Sequence, residues 1–432
     1  MTPLKNAAAK SIYRTTVLRG GRMTKWKGKA ASLSPSLGQL IASVSPVALG
    51  RGLMGGVSKA ATAAVLGSSG LIMTTNVASA NCTSTSTAVY VCSSSETETQ
   101  KLDASGSLLN VSVDKGITFE TAEGDAFELE SDNGITFKTD EPLFSSAATI
   151  TGYEDGINAI NNLTGALSIT TTGTTTGGDD GIDASNNGSG ALSIKTTGTT
   201  TGGDVGIEAW NEETGTSLTI TAATTKGYVG IDAQSHGTGA LSITTTGTTT
   251  GRNSYGIYAY NYNNGTSLTI DAYTTYGGTY GIYATNHGTG DLKIDAVTTT
   301  GFEDHGIDAE NHGTGALSIT TTGTTTGADR GINADNYDTG TDLTIVAVNT
   351  YGDGDHGIAA YNYGSGALSI TTTGTTTGTI TGTNSYGIYA YNDNTGTSLT
   401  IDANTTYGGS YGIYAKNFGT GDLKIDAVTT TG

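Results

Sequence analysis

Residues 156–180 read GINAINNLTGALSITTTGTTTGGDD, and residues 181–205 read GIDASNNGSGALSIKTTGTTTGGDV. The second stretch repeats the first in phase. Gly-Ile-x-Ala opens each, Leu-Ser-Ile begins eleven residues after the glycine, and a threonine run closes the unit. The opening phrase recurs eleven times, at Gly156, Gly181, Gly206, Gly230, Gly256, Gly281, Gly306, Gly331, Gly357, Gly387 and Gly412. The steps are 24 to 26 residues, apart from one of 30 between Gly357 and Gly387. Periods of this size belong to solenoids, propellers or arrays.

Composition narrows the choice. Gly, Thr, Asn and Asp are poor helix formers, and no apolar stripe of helical period is present. A propeller blade takes about 40 residues or more. One β-coil per repeat remains. Within a strand, alternate residues share a face. Ile157, Ala159 and Asn161 therefore point inward on a first strand, and Leu167, Ile169 and Thr171 on a second. Thr174–Thr176 is expected to supply a third. The expected fold class is all-β: a parallel, right-handed β-helix of about eleven 25-residue coils over residues 151–432.

An asparagine column follows from the same parity: Asn161, Asn186, Asn211, Asn261, Asn286, Asn311, Asn336, Asn362, Asn392 and Asn417, with Ser235 in the coil at Gly230. Amides pointing inward at a bend are placed to pair with one another and with turn backbone, forming a structural ladder. Length variation falls between Asn and Leu in the coils at Gly206, Gly256, Gly331 and Gly387, and around Thr379–Thr383 in the long step. Turns tolerate such insertions and strands do not. All four prolines precede residue 151, so no coil loses a ladder donor.

Charge divides the chain. Residues 1–80 carry ten Lys/Arg and no acid; the remainder carries the other ten against all 39 acidic residues, net −29. Phosphate binding needs basic groups, so such a body disfavours nucleic acid. Lys59, the small apolar run Ala60–Met73 and Ala78-Ser79-Ala80 have the order of a secretory signal, with cleavage expected between Ala80 and Asn81. Met54 is the alternative start. Residues 81–150 lack the repeat phrase and are expected to form irregular β coils and a cap. Cys82 and Cys92, a lone close pair in a chain of this type, are expected to form one disulfide.

The basic–aromatic stretch of Tyr13, Arg14, Arg19, Arg22, Lys25, Trp26, Lys27 and Lys29, followed by Gly/Thr-rich coils almost free of cysteine, resembles the passenger of a bacterial autotransporter (type V secretion). The resemblance implies export across both membranes and a β-helix displayed at the cell surface or secreted, often adhesive. Autotransporters end in an outer-membrane barrel, and nothing after Gly156 looks like one. Because Gly432 falls in mid-coil, the sequence reads as a fragment, a truncated gene product or a secreted relic.

Asp183, Glu208, Asp232 and Asp308 take the outward position of Gly-Ile-x-Ala. Paired carboxylates of this kind serve polysaccharide-cleaving β-helices, but at repeated positions they read as a solvated acidic face. The tandem calcium nonapeptide is absent, and His236, His287 and His312 read as exposed turn residues, so no metal, cofactor or catalytic group is expected. Tyr258 and Tyr283 stand outward on successive coils, and Tyr389 and Tyr414 repeat the pair, flanked by Tyr255, Tyr280, Tyr386 and Tyr411. Stacked tyrosines can hold a sugar face or another protein, or simply brace the coils. The expected function is an adhesin or adhesive stalk on a host-cell or glycan surface, or one that self-associates. A passive spacer is the alternative, and a polysaccharide-active enzyme comes after both.

Overall fold

The computed structural model describes residues 82–140, 146–379 and 384–432. The basic segment, the expected cleavage between Ala80 and Asn81, and residues 380–383 of the long step lie outside them. The described chain is an all-β parallel solenoid of about thirteen turns, with no helix among the described residues.

Two sheets build it. The first has 13 strands, one per coil, running from Gln100–Ala104 and Phe127–Ser131 through Ile157–Asn161 to Tyr411–Asn417. The second has 18 strands and includes Leu109–Val113, Ile135–Thr139, Leu167–Thr171 and Leu192–Thr201. Register is set by the repeat: Ile157 pairs with Ile182 and Ile182 with Ile207, as Leu167 does with Leu192 and Leu192 with Leu218. A slip of one residue would turn every apolar side chain out, so this pattern fixes the pairing.

The array begins two coils before the first Gly-Ile-x-Ala phrase. Phe127 stands in the Ile column and Leu129 in the Ala column, while Ile135 and Phe137 take the Leu and Ile places. Phe119, Phe127 and Phe137 pack edge to face or tilted at 4.6 and 5.0 Å, filling with rings the volume that aliphatics fill later. A hairpin, Cys82–Ser86 against Val89–Cys92, lies at the start of the larger sheet; it is antiparallel, and Cys82 and Cys92 are disulfide-bonded.

The third strand is separate only in the first repeat coil, where Thr174–Thr176 stands apart from Leu167–Thr171. In the next, one strand spans Leu192–Thr201, with a register shift between Thr196 and Thr199. The ladder bonds continue through this bend, so the threonine run belongs to the same sheet.

The core is a set of columns. Every Ile, Ala, Leu and Ile position from Ile157 to Ile401 is buried, each large aliphatic contributing about 1.5–3 kcal/mol of burial. Threonine supplies another column: Thr200, Thr225, Thr249, Thr275 and Thr299 are all at 0% exposure. Their methyls explain the glycine of the repeat. A Cβ on Gly281 would lie 2.4 Å from Thr299 Cγ2 and 2.5 Å from the carbonyl oxygen of Gly306, so the coil closes only where that side chain is missing.

At the bend after the first sheet the asparagines form a hydrogen-bonded ladder. Asn286 Nδ2 donates to Asn311 Oδ1 (3.2 Å) and to the Gly290 carbonyl (2.9 Å), while its Oδ1 accepts from Asn261 Nδ2 (2.8 Å). The extra residue of the longer coils closes a turn beside it: Gly215, Gly265, Gly340 and Gly396 donate to the carbonyls of Glu212, Tyr262, Tyr337 and Asp393 at 2.8–3.1 Å.

Candidate functional site

Chemistry-bearing side chains concentrate on the outer face of the first sheet. Three columns cross it: the residue before each Gly, the x of Gly-Ile-x-Ala, and the residue before each Asn. A fourth follows the Asn.

At the first repeat coils the face is acidic. The N–H of Asp155 donates to Asp125 Oδ1 (3.0 Å), that of Asp180 to Asp155 Oδ1 (2.9 Å), and that of Val205 to Asp180 Oδ1 (2.9 Å). Asp155, Asp180 and Asp183 are buried and bring carboxylate oxygens within 4.8 Å of one another. Burial, reinforced by the neighbouring acids, pushes the Asp155 carboxyl up to about 7 and that of Asp180 to about 8. Burial likewise raises Asp232 to about 7.

The solvated acidic face expected from the sequence is therefore corrected. Asp183 and Asp308 are only 3% and 6% exposed. A short side chain in a column repeated every ~4.8 Å presents little surface to water, and polar neighbours complete the enclosure. Asp308 accepts from Asn333 Nδ2 (2.9 Å), Asp232 from Gln234 (3.1 Å), and Glu208 from the Trp210 indole (2.7 Å).

Further along, the face becomes aromatic. Tyr255, Tyr258, Tyr280 and Tyr283 form a quartet. Tyr258 and Tyr283 stack at 5.6 Å and 3°, Tyr255 and Tyr280 at 5.4 Å and 11°, and cross-contacts are 5.0–5.6 Å. Tyr386, Tyr389, Tyr411 and Tyr414 repeat it, with Tyr389 and Tyr414 at 5.5 Å and 16°. Lys416 Nζ lies 5.0 Å from the Tyr414 ring centre. Seven of the eight rings are half-buried, and Tyr411 is exposed. Burial pushes the Tyr283 hydroxyl up to about 12, and those of Tyr258 and Tyr280 rise for the same first reason. These phenols stay neutral donors at ordinary pH.

The histidine column also differs from expectation. His236 stacks on Tyr262, His287 on His312 (4.4 Å, 6°), and His312 on Tyr337 (3.9 Å), a row that Tyr363 continues. His287 Nε2 meets the Tyr260 hydroxyl at 2.7 Å. Burial lowers both His287 and His312. These residues are members of an aromatic row, because flat rings at coil spacing cover one another.

Of the column before each glycine, the sequence singled out the tyrosines but not the histidines and the arginine. The column runs Asp155, Asp180, Val205, Val229, Tyr255, Tyr280, His305, Arg330, His356, Tyr386, Tyr411. Aligning the coils one residue further upstream would have exposed its two histidines and arginine. Arg330 bridges there to Asp355 Oδ2 (3.1 Å) and Asn333 Oδ1 (2.8 Å).

These features define a β-helix repeat protein with one chemically differentiated face. No protein-family model, curated protein or solved structure matches the chain.

Proposed function

We propose that this solenoid is the exported passenger of an autotransporter-like system, adhering to glycan-bearing surfaces through its two tyrosine quartets. One observation carries the reading: the same four-ring arrangement occurs twice on one sheet, in register Tyr258 to Tyr283 and Tyr389 to Tyr414. Five coils at ~4.8 Å place the copies roughly 24 Å apart. Each offers apolar ring area with neutral hydroxyls, which suits the apolar face and edge hydroxyls of a neutral sugar. The acidic body around them disfavours anionic ligands. A hydrolytic reading has less support, because Asp155 and Asp180 are buried and already accept backbone N–H bonds. The spacer reading rests on the mutual stacking of the same rings, which half-buries most of them.

The test replaces Tyr258 and Tyr283 by Ser, then Tyr389 and Tyr414 as well. Adhesion to glycan-coated and cell surfaces is measured beside thermal stability and sedimentation. Stepwise loss of adhesion at unchanged stability is expected, since two sites on one rod act by avidity. Loss of stability with no separate effect on adhesion would leave the rings as braces of a spacer. Loss of self-association alone would identify a second copy as the partner.

A further inference from the structure

We propose that Asp304, His305 and Asp329 form a binding site for a divalent transition-metal ion of the zinc type. The residues meet where the chain bends into the first sheet. In-register pairing brings them together: the Asp329 N–H donates to the Asp304 carbonyl (3.1 Å), so the two carboxylates occupy one column on adjacent coils. His305 Nδ1 lies 2.9 Å from Asp304 Oδ1 and 3.8 Å from Asp329 Oδ2. The three donor atoms all fall within 4.8 Å of one another. Around a tetrahedral ion with bonds of about 2.0–2.2 Å, neighbouring ligand atoms stand about 3.4 Å apart. The two measured separations bracket that edge.

A second observation is independent of the clustering. His305 is only 8% exposed, and its Nδ1 makes no hydrogen bond. Asp304 is near enough in distance, but the pair does not meet in hydrogen-bonding geometry. A buried ring nitrogen beside two carboxylates and hydrogen-bonded to neither is unusual, because buried polar atoms are nearly always satisfied. A cation accounts for it: the neutral imidazole gives its lone pair to the ion, and the two carboxylates balance its charge.

Of the neighbouring groups, the Tyr280 hydroxyl donates to Asp304, whose carboxylate offers a second oxygen. Arg330 turns toward Asp355 and Asn333, and its Nε is 3.9 Å from Asp329. Asp304 and Asp329 are 32% and 44% exposed along their side chains, which opens a path for the ion and a position for water. His356, one column-mate further on, is differently placed. Its Nδ1 accepts the Tyr386 N–H at 3.3 Å, and its carboxylate neighbour Asp355 is already held by Arg330. One nitrogen with two carboxylate oxygens favours zinc, cobalt or nickel over calcium, which takes six to eight oxygens. An ion here would staple two coils beside the first quartet, since Tyr280 meets His305 edge to face at 5.6 Å.

The experiment titrates the metal-stripped full chain with zinc chloride by calorimetry and thermal melting, with calcium chloride as comparator. One strong zinc equivalent and a zinc-dependent rise in melting temperature are expected. Asp329→Asn should weaken it at least roughly tenfold, as losses in even the outer shell of a metal site do. Its side chain is exposed, so the variant keeps the fold. His305→Gln should act alike, and a double His287→Gln, His312→Gln variant should retain the site. Cobalt absorption bands should vanish with Asp329→Asn. Absence of zinc binding, binding indifferent to Asp329→Asn, binding lost with the His287/His312 variant, or calcium binding as tight as zinc would each overturn the assignment.

Discussion

Ser235 sits directly in register with Asn261, and Asn261 Oδ1 is buried beneath it with no hydrogen-bond partner. The ladder elsewhere passes amide to carbonyl from coil to coil. Here Asn211 Nδ2, besides the Thr216 carbonyl of its own coil, meets the Ser235 hydroxyl at 3.5 Å, and no donor reaches Asn261 Oδ1 from above. Ser235→Asn should restore the missing step and stabilise the protein by about 1 kcal/mol, the net worth of one hydrogen bond. A urea midpoint that fails to rise would contradict this account.

The opposite change tests an intact step. Asn286→Leu removes four bonds at once, to Asn261, Asn311, the Gly288 N–H and the Gly290 carbonyl. Each buried group left unpaired costs ~1–3 kcal/mol. The melting temperature should fall further than for any substitution at the outward Tyr283 on the same coil.

The threonine column predicts a gain from losing polarity. Thr225, Thr249, Thr275 and Thr299 are buried, and their hydroxyls have no partner. Thr275→Val keeps the shape and the methyl against Gly256 while deleting the unsatisfied oxygen. Stability should increase, by an amount on the order of 1 kcal/mol. Thr275→Ala, which also removes the methyl, should destabilise instead. Equal effects of the two variants would show that the hydroxyl has a partner after all.

Stability should fall as pH rises from about 6.5 to about 8. Asp155, Asp180 and Asp232 hold their protons up to about 7, 8 and 7, against about 3.8 in an unfolded chain. The folded state therefore binds more protons across that interval. This contribution is complete below the unfolded value and is lost as pH passes the folded ones. His356, lowered to about 4 by burial, acts in the other sense, but its effect is complete by about pH 6.5. Melting temperature read against pH should decline over the upper window, and Asp180→Asn should flatten the decline.

Reduction of Cys82–Cys92 should loosen the first hairpin and little else. A closed loop of this size is worth roughly 2–4 kcal/mol, and solenoid coils feel mainly their neighbours. Amide exchange should quicken in Cys82–Cys92 and in the adjoining Leu109–Val113 strand, while the coils after Gly156 keep their protection.

The coil array was legible because the same few residues return every 25 positions with fixed parity. Ile157, Leu167 and Asn161 each declare a column. The two earliest coils were expected only as irregular β coils and not as members of the array, because Gln100 and Phe127 hold the Ile column, and Leu102 and Leu129 the Ala column, without the glycine that marks the others. The outer face was read only in part. Tyr258 and Tyr283 stood out as repeated aromatics, but Asp183 and Asp308 were taken for wet residues because sequence gives direction and not enclosure. His305 was missed for a different reason: its partners, Asp304 and Asp329, gather only when adjacent coils are laid in register.

The parallel stacking has a mechanical side. Hydrogen bonds between coils run along the rod, so a pull on its ends loads them in tension at the outermost coil rather than sharing the load along the length. The array should therefore peel, one coil at a time, each releasing roughly 85 Å of chain at about 3.4 Å per residue. Such a rod yields in small steps and winds back from the coil still standing, which makes it a compliant tether rather than a rigid strut.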